Sequence, residues 1–195
     1  SQCKWDMRRM IGDIGHGHLS SVFHICDMVY NDEKYHRINR KGLLRANWKH
    51  QVIQVKRAYY GVQNVLSVFD DTVSLDAAHA LETLDRTISS YGFVKDGGRP
   101  VLAFWQHGDL VRVDGELQLD RTAYPSDAFE TREVAFDWKG RPLKDPVWID
   151  LFTGAVYEFP VRNQIVHSDG VTFVRVPTYD SPCLLAERET VQMDR

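Results

Sequence analysis

The sequence lacks the cysteine pairs of structural zinc sites, the basic patches of nucleic-acid-binding proteins and the long apolar runs of membrane proteins. Its three cysteines, Cys3, Cys26 and Cys183, lie far apart with no Cys-x-x-Cys pair, so we expect buried free thiols and no structural zinc. Basic residues are scattered in a chain of net charge −3, which argues against a nucleic-acid partner. The longest apolar run is too short to span a membrane, so we expect no membrane partner. The composition, with 43% apolar and 26% charged residues, is that of an ordinary globular protein.

The sequence also lacks a convincing site for a cofactor or a metal ion. The glycines of residues 12–17 have the wrong spacing for a dinucleotide loop, and they follow a helical pattern where that loop must follow a strand. His16, His18 and His24 have no acidic neighbours that would complete a metal site. We therefore expect neither a cofactor nor a bound metal.

Helical patterning dominates the chain before about residue 85. Apolar residues recur at helical spacing in residues 3–14 and 56–71, which predicts two amphipathic helices. Between them, the mostly apolar run 20–28 predicts a strand buried on both faces, as in a parallel sheet, and residues 29–53 form a long polar and aromatic connection. The residues expected to be buried on the two helices are Cys3, Met7, Met10, Ile11 and Ile14, and Tyr59, Val62, Val65, Leu66 and Phe69.

Short antiparallel strands dominate the chain after residue 85. Turn signals such as Asp-Gly-Gly at 96–98 and Ser-Asp-Gly at 168–170 separate them, which is typical of a sandwich or barrel. Tryptophans in these strands are expected in the core, with Trp138, beside a turn, the most exposed. The predicted strands are 87–95, 100–106, 109–114, 130–137, 146–151, 155–160, 163–168, 170–176 and 183–190.

The end of the predicted strand 20–28 is the candidate site. In a β/α unit, ligands bind at the C-terminal ends of the strands, so Asp27, Tyr30 and the following connection would face a site. The alternative is structural, with Asp27 capping a loop or pairing with an arginine such as Arg37. The residues alone leave both alternatives open.

Four segments taken together resemble a known family. They are residues 20–27 (SSVFHICD), 41–44 (KGLL), 58–70 (AYYGVQNVLSVFD) and 145–160 (DPVWIDLFTGAVYEFP). Their succession is similar to the C-terminal part of TIM-barrel glycoside hydrolases of the retaining, clan A type. The similar segments span most of the chain, although none of them is a catalytic signature.

The resemblance implies an α+β fold that is mostly β, with a partial (β/α) barrel segment, helix-strand-helix, before a C-terminal antiparallel β-sandwich. Residues 1–75 would be the seventh helix, eighth strand and eighth helix of the barrel. Residues 76–86 would be a linker, and residues 87–195 the accessory sandwich. We therefore expect an upstream barrel segment of the same protein to be the partner of this chain.

The resemblance also implies a division of roles. The family's catalytic pair is two glutamates, about 5 Å apart, at the ends of the fourth and seventh strands. Neither strand is in this chain, so we expect no catalytic residue here and no activity of the chain alone. His24, Asp27 and Tyr30 would bind an oligosaccharide or polysaccharide through hydrogen bonds or stacking. The alternative is a non-catalytic carbohydrate-binding or interaction module, in which the sandwich is the working part.

Overall fold

The computed structural model describes residues 2–31, 36–107, 110–113, 116–119 and 131–191, and these are mostly β with two α-helices. Helix α1 spans Gln2–Gly15 and helix α2 spans Arg57–Val68, close to the two predicted helices. No helix in the described ranges is long and apolar enough to cross a membrane. Residues 32–35 of the predicted connection, and residues 109, 114 and 130 of two predicted strands, lie outside the described residues.

Every strand predicted after residue 85 has a counterpart in the structure. The boundaries agree within about three residues, because Gly and Asp turns punctuate this part of the sequence. The strands are β1 (Met28–Asn31), β2 (His36–Asn39), β3 (Leu44–Ala46), β4 (Val52–Val55), β5 (Ser74–Leu75), β6 (Ile88–Lys95), β7 (Arg99–Gln106), β8 (Leu110–Val113), β9 (Glu116–Leu119), β10 (Arg132–Trp138), β11 (Pro146–Asp150), β12 (Ala155–Glu158), β13 (Gln164–Val166), β14 (Val171–Thr178) and β15 (Cys183–Glu187).

The strands pair in antiparallel sheets. The larger sheet has six strands in the order β12-β11-β15-β7-β6-β5, and the smaller has three in the order β10-β14-β13. Three further pairs, β1-β2, β3-β4 and β8-β9, stand as two-stranded hairpins. The predicted linker 76–86 therefore lies between two strands of the six-stranded sheet, and Glu82 forms a bridge to Asp137 of β10.

The six-stranded sheet has an apolar core on each face. Side chains alternate across a strand, so Val101, Ala103 and Trp105 of β7 contact the helices. Leu102 and Phe104 of the same strand contact the three-stranded sheet. The buried side chains that join the two sheets include Phe136, Trp138, Phe173 and Leu185. Trp138 is only 5% exposed, so its predicted exposure is wrong.

The two helices pack against each other and against the six-stranded sheet. The predicted apolar stripe of α1 is confirmed, since Cys3, Met7, Met10 and Ile11 are buried and Ile14 packs at the edge of the same core. Gly61 of α2 permits the close approach, because a Cβ there would lie 2.5 Å from Cys3 Sγ.

The predicted buried face of α2 is partly wrong. Val62, Val65 and Phe69 are buried, whereas Tyr59 is 41% exposed and Leu66 is 56% exposed. Close packing through Gly61 turns the buried face toward Ala58 and Val68 and away from these two side chains.

The predicted strand 20–28 is also wrong over most of its length. Residues 20–27 form no strand, with bends at Phe23 and Ile25 and an isolated bridge at Cys26, and the strand β1 begins only at Met28. Among the described residues, the backbone of this segment pairs with the segment that contains Leu44: Leu44 N–H donates to Ile25 O at 2.8 Å, and Asp27 N–H donates to Leu44 O at 2.9 Å. A single parallel bridge, Cys26 to Leu44, results, so no ladder extends along the segment.

Candidate functional site

Asp27, the first of the predicted site residues, is held by a lysine. Its side chain is 3% exposed and forms an ion pair with Lys56, the residue that precedes α2. Lys56 Nζ also donates to the carbonyl oxygen of Arg40 at 2.8 Å. The structural alternative for Asp27 is therefore present, with a lysine in place of an arginine.

A close backbone contact fixes the position of Asp27. Residues 42–44 run beside residues 24–27, and Leu43 N–H donates to His24 O at 3.1 Å. A Cβ on Gly42 would lie 2.3 Å from Asp27 N, so only glycine allows the two segments to approach this closely. This close backbone contact explains why the KGLL segment has a glycine at position 42.

His24 is a half-buried residue whose two ring nitrogens are buried. Both ring nitrogens are inaccessible, and neither contacts a donor or acceptor in the described residues. The ring lies edge-to-face with Phe23, with centroids 4.4 Å apart. An unpaired buried polar group costs about 1–3 kcal/mol, so a partner outside the described residues would stabilise this arrangement.

Tyr30 differs from the other two predicted residues because it is exposed. Its side chain lies on β1, is 41% accessible, and accepts a 3.4 Å hydrogen bond from Asn39 Nδ2. No hydrogen bond joins any two of His24, Asp27 and Tyr30. The three residues lie close in the sequence, but their side chains do not form a polar cluster.

Apolar side chains project into solvent along the same segment. Leu19, Phe23 and Ile25 are 102%, 61% and 69% exposed, while Val22, between them, packs against the helix core. We call Leu19, Phe23 and Ile25 the N-terminal apolar edge. Strand β4, which pairs with the other side of β3, also exposes Ile53 and Val55. Burial alternates along residues 20–26 as it does in a strand with one covered face, and here the second face is exposed to solvent.

A cavity of about 660 Å³ lies between α1 and this segment. Trp5, Asp6 and Arg9 of α1 line one side, and Phe23 and Asn39 lie on the other. Burial raises the pKa of the Asp6 carboxyl above its ordinary value. Phe23 therefore belongs both to the N-terminal apolar edge and to the wall of the cavity.

A second concave site lies in the β region, away from the predicted residues. We call it the β-region groove; its volume is about 700 Å³, and its lining residues all fall between 131 and 179. This volume is in the range of ligand sites, about 300–1,000 Å³. Its lining includes these two aromatic and four charged side chains: Trp148, Tyr157, Glu133, Glu158, Arg162 and Arg175.

An aromatic pair forms one wall of the β-region groove. Trp148 of β11 and Tyr157 of β12 are direct cross-strand partners, with ring centroids 5.5 Å apart and planes inclined at 46°. Trp148 Nε1 donates to Pro177 O at 2.9 Å, which fixes the indole ring. Tyr157 is 54% exposed, so its ring presents free surface to the groove.

Arg175 enters the groove from a β-bulge. The register between β10 and β14 shifts between Val134 and Phe136, and Arg175 has φ of 55°. A left-handed conformation is uncommon for a residue other than glycine, and bulges redirect side chains beside functional sites. The sequence carries no turn signal here, so the position of Arg175 was not predicted.

Asp150 lines the groove, and its carboxylate is occupied by hydrogen bonds within the protein. Its carboxylate accepts hydrogen bonds from Phe152 N at 2.9 Å, Thr153 Oγ1 at 2.8 Å and Tyr179 Oη at 2.6 Å. Burial, and then the hydrogen bond to Asp150, raise the pKa of Tyr179, so its hydroxyl stays protonated and donating. Asp150 is therefore a structural residue of the groove floor.

Neither site has the ligand set of a metal centre. In the part of the chain that the structure describes, no three His, Cys, Asp or Glu side chains cluster at a spacing suitable for a metal ion. Comparison with protein-family models finds no match, and comparison with curated proteins finds no significant one. The chemistry of both sites therefore has to be inferred from their geometry.

Proposed function

We propose that this chain is the C-terminal part of a TIM-barrel glycoside hydrolase acting on O-glycosidic bonds. In this proposal the segment 20–28 is the eighth barrel strand, and α1 and α2 are the flanking helices. The two facing sheets are the accessory β-sandwich. The catalytic glutamates belong to an upstream segment of the same protein, and this chain contributes one wall of the sugar site.

The N-terminal apolar edge is the observation that carries the proposal. Leu19, Phe23 and Ile25 expose their side chains from a segment whose backbone, within the described residues, pairs only with Leu43 and Leu44. Burying one large apolar side chain contributes about 1.5–3 kcal/mol to stability. Three exposed ones on one edge therefore favour a binding partner that buries them. A barrel supplies that partner, because its eighth strand lies between the seventh and the first.

Two further observations support the same proposal. The imidazole of His24 has no partner in the described residues, which suits a segment whose polar contacts lie on a neighbouring strand. Tyr59 and Leu66 of α2 are exposed on the side turned away from α1, where an adjacent barrel helix would lie. A sandwich module that worked alone would leave all of these surfaces unexplained.

The proposal refines the roles of the three predicted residues. The ion pair with Lys56 makes Asp27 a residue that positions the loop before β1. Tyr30, exposed on β1, is the residue whose ring and hydroxyl can contact a sugar. His24 would pair with a residue of the upstream segment.

The coding sequence immediately upstream of Ser1 tests the proposal. We expect seven further strand–helix units, with a glutamate at the ends of the fourth and seventh strands, in a barrel of about 250 residues. Replacing either glutamate by glutamine in the complete protein should abolish turnover of an aryl glycoside. An initiation codon directly before Ser1 would contradict the proposal.

A further inference from the structure

We propose that the β-region groove is a second carbohydrate site, which binds a neutral oligosaccharide through Tyr157 and Trp148. The inference takes its ligand class from the proposed function, but it concerns a different surface. Every lining residue lies between 131 and 179, so the groove is built without the segment 20–28. It is therefore a site for holding substrate that is formed without the predicted site residues.

The aromatic pair suits the apolar face of a sugar ring. A pyranose presents a face of C–H groups and an edge of hydroxyls, and the C–H face stacks on an aromatic ring. The 54% exposure of Tyr157 leaves its ring surface available, and the hydrogen bond from Trp148 Nε1 to Pro177 O holds the indole in place. A rigid aromatic wall lowers the entropy cost of binding.

The charged lining favours a neutral ligand over an acidic or basic one. Arg162 and Arg175 are matched by Glu133 and Glu158 on the same groove, so neither sign dominates. The third carboxylate of the lining, Asp150, already accepts three hydrogen bonds within the protein. A polyanion would meet two carboxylates, and a polycation would meet two guanidinium groups. Vicinal hydroxyls can accept from a guanidinium and donate to a carboxylate, so both signs serve a neutral sugar.

The β-bulge at Arg175 is a further observation that favours a ligand-binding site in the groove. The residue has φ of 55°, a conformation that glycine would adopt without strain. Strain of this kind is held in place by surrounding structure, and it clusters at ligand sites. In this protein it occurs at a residue that lines the same groove as the aromatic pair.

Isothermal titration of the 195-residue chain with xylohexaose, cellohexaose and mannohexaose tests the inference, with hexagalacturonate as the acidic probe. We expect at least one neutral hexasaccharide to bind with Kd of about 1 mM or tighter, with little dependence on salt. Tyr157→Ala should weaken that binding about tenfold. Tyr60→Ala is the matched control, because Tyr60 is 52% exposed on α2, and it should leave Kd unchanged.

Arg175→Gly provides a second variant that keeps the bulge conformation, and it should also weaken binding. Binding of no neutral hexasaccharide, tighter binding of hexagalacturonate, or unchanged affinity in Tyr157→Ala would each overturn the inference. These results are independent of the upstream coding sequence. A chain that binds sugar but lacks an upstream barrel would refute the proposed function alone, and a non-binding chain with that barrel would refute this inference alone.

Discussion

The ion pair between Asp27 and Lys56 gives an asymmetric prediction for two single substitutions. Lys56→Met leaves a carboxylate that is only 3% exposed without its cation. Removing one partner of a buried pair costs about 3–5 kcal/mol, because the remaining charge stays desolvated. Asp27→Asn leaves the Lys56 ammonium, which is 18% exposed and keeps its 2.8 Å hydrogen bond to Arg40 O. We expect that change to cost about 1–2 kcal/mol.

Urea denaturation followed by tryptophan fluorescence measures both values, and thermal unfolding provides a second reading. For a protein of this size, about 1 kcal/mol lowers Tm by roughly 2–4 °C, so Lys56→Met should lower it by about 6–20 °C. Combining Asp27→Asn with Lys56→Met removes both charges and should recover part of the loss. Asp71→Asn, on an exposed residue, is the control and should change stability by less than about 0.5 kcal/mol.

A loss below about 0.5 kcal/mol in Lys56→Met would refute this reasoning. It would mean that the carboxylate of Asp27 does not depend on Lys56 in solution. Asp27 would then be free to bind substrate, as the position at the end of the predicted strand first suggested.

Three further predictions concern the helix contact, acid stability and thiol reactivity. Gly61→Ala places a Cβ 2.5 Å from Cys3 Sγ and should lower the free energy of unfolding by about 1–3 kcal/mol in urea. Hydrogen bonds from Lys95 and Thr72 lower the pKa of Asp70 from 3.8 to about 2, so its contribution to stability is present above pH 3.8 and is lost as the pH falls toward 2. An acid titration of stability should show this loss, and Asp70→Asn should reduce it. An aromatic disulfide reagent at about pH 8 should modify Cys26 first, because burial raises the pKa of Cys3 to about 11.

Each of these predictions has a control and a contradicting result. Gln63→Ala, on the exposed side of α2, should leave stability unchanged, and an equal loss in Gly61→Ala and Gln63→Ala would exclude the close contact. For Asp70 the effect should be small, since its carboxylate is 40% exposed, and an unchanged acid profile in Asp70→Asn would contradict it. Equal reaction rates of all three thiols in the folded protein would contradict the burial of Cys3 and Cys183.

The strands of the β region were predictable because residues that favour turns separate them in the sequence. Asp-Gly-Gly at 96–98 and Ser-Asp-Gly at 168–170 require turn conformations, and the strands between them follow. Strand β7 shows that an uninterrupted apolar run can belong to an antiparallel sheet with both faces covered. The run at 20–28 is also mostly apolar, but within the described residues the backbone hydrogen bonds of its residues 20–27 go only to Leu43 and Leu44, and apolar character alone cannot distinguish the two cases.

The candidate sites were only partly predictable. Position at the end of an apolar run identified Asp27, but its partner Lys56 is 29 residues away, and no local signal links them. The β-region groove was missed, because Arg175 lies at a bulge and is itself neither glycine nor proline. The cross-strand pairing of Trp148 with Tyr157 depends on the register of β11 and β12, and it could be found only once that register was known.

Hydrolysis of aryl glycosides tests the central claim most directly. The complete native polypeptide and the 195-residue chain should be purified separately and assayed with a panel of 4-nitrophenyl glycosides, following the configuration of the product. We expect turnover with retention of configuration by the complete polypeptide, and none by the chain alone, because the two glutamates lie upstream. Turnover by the purified chain, with contaminating enzyme excluded, or an inert complete polypeptide, would contradict the account.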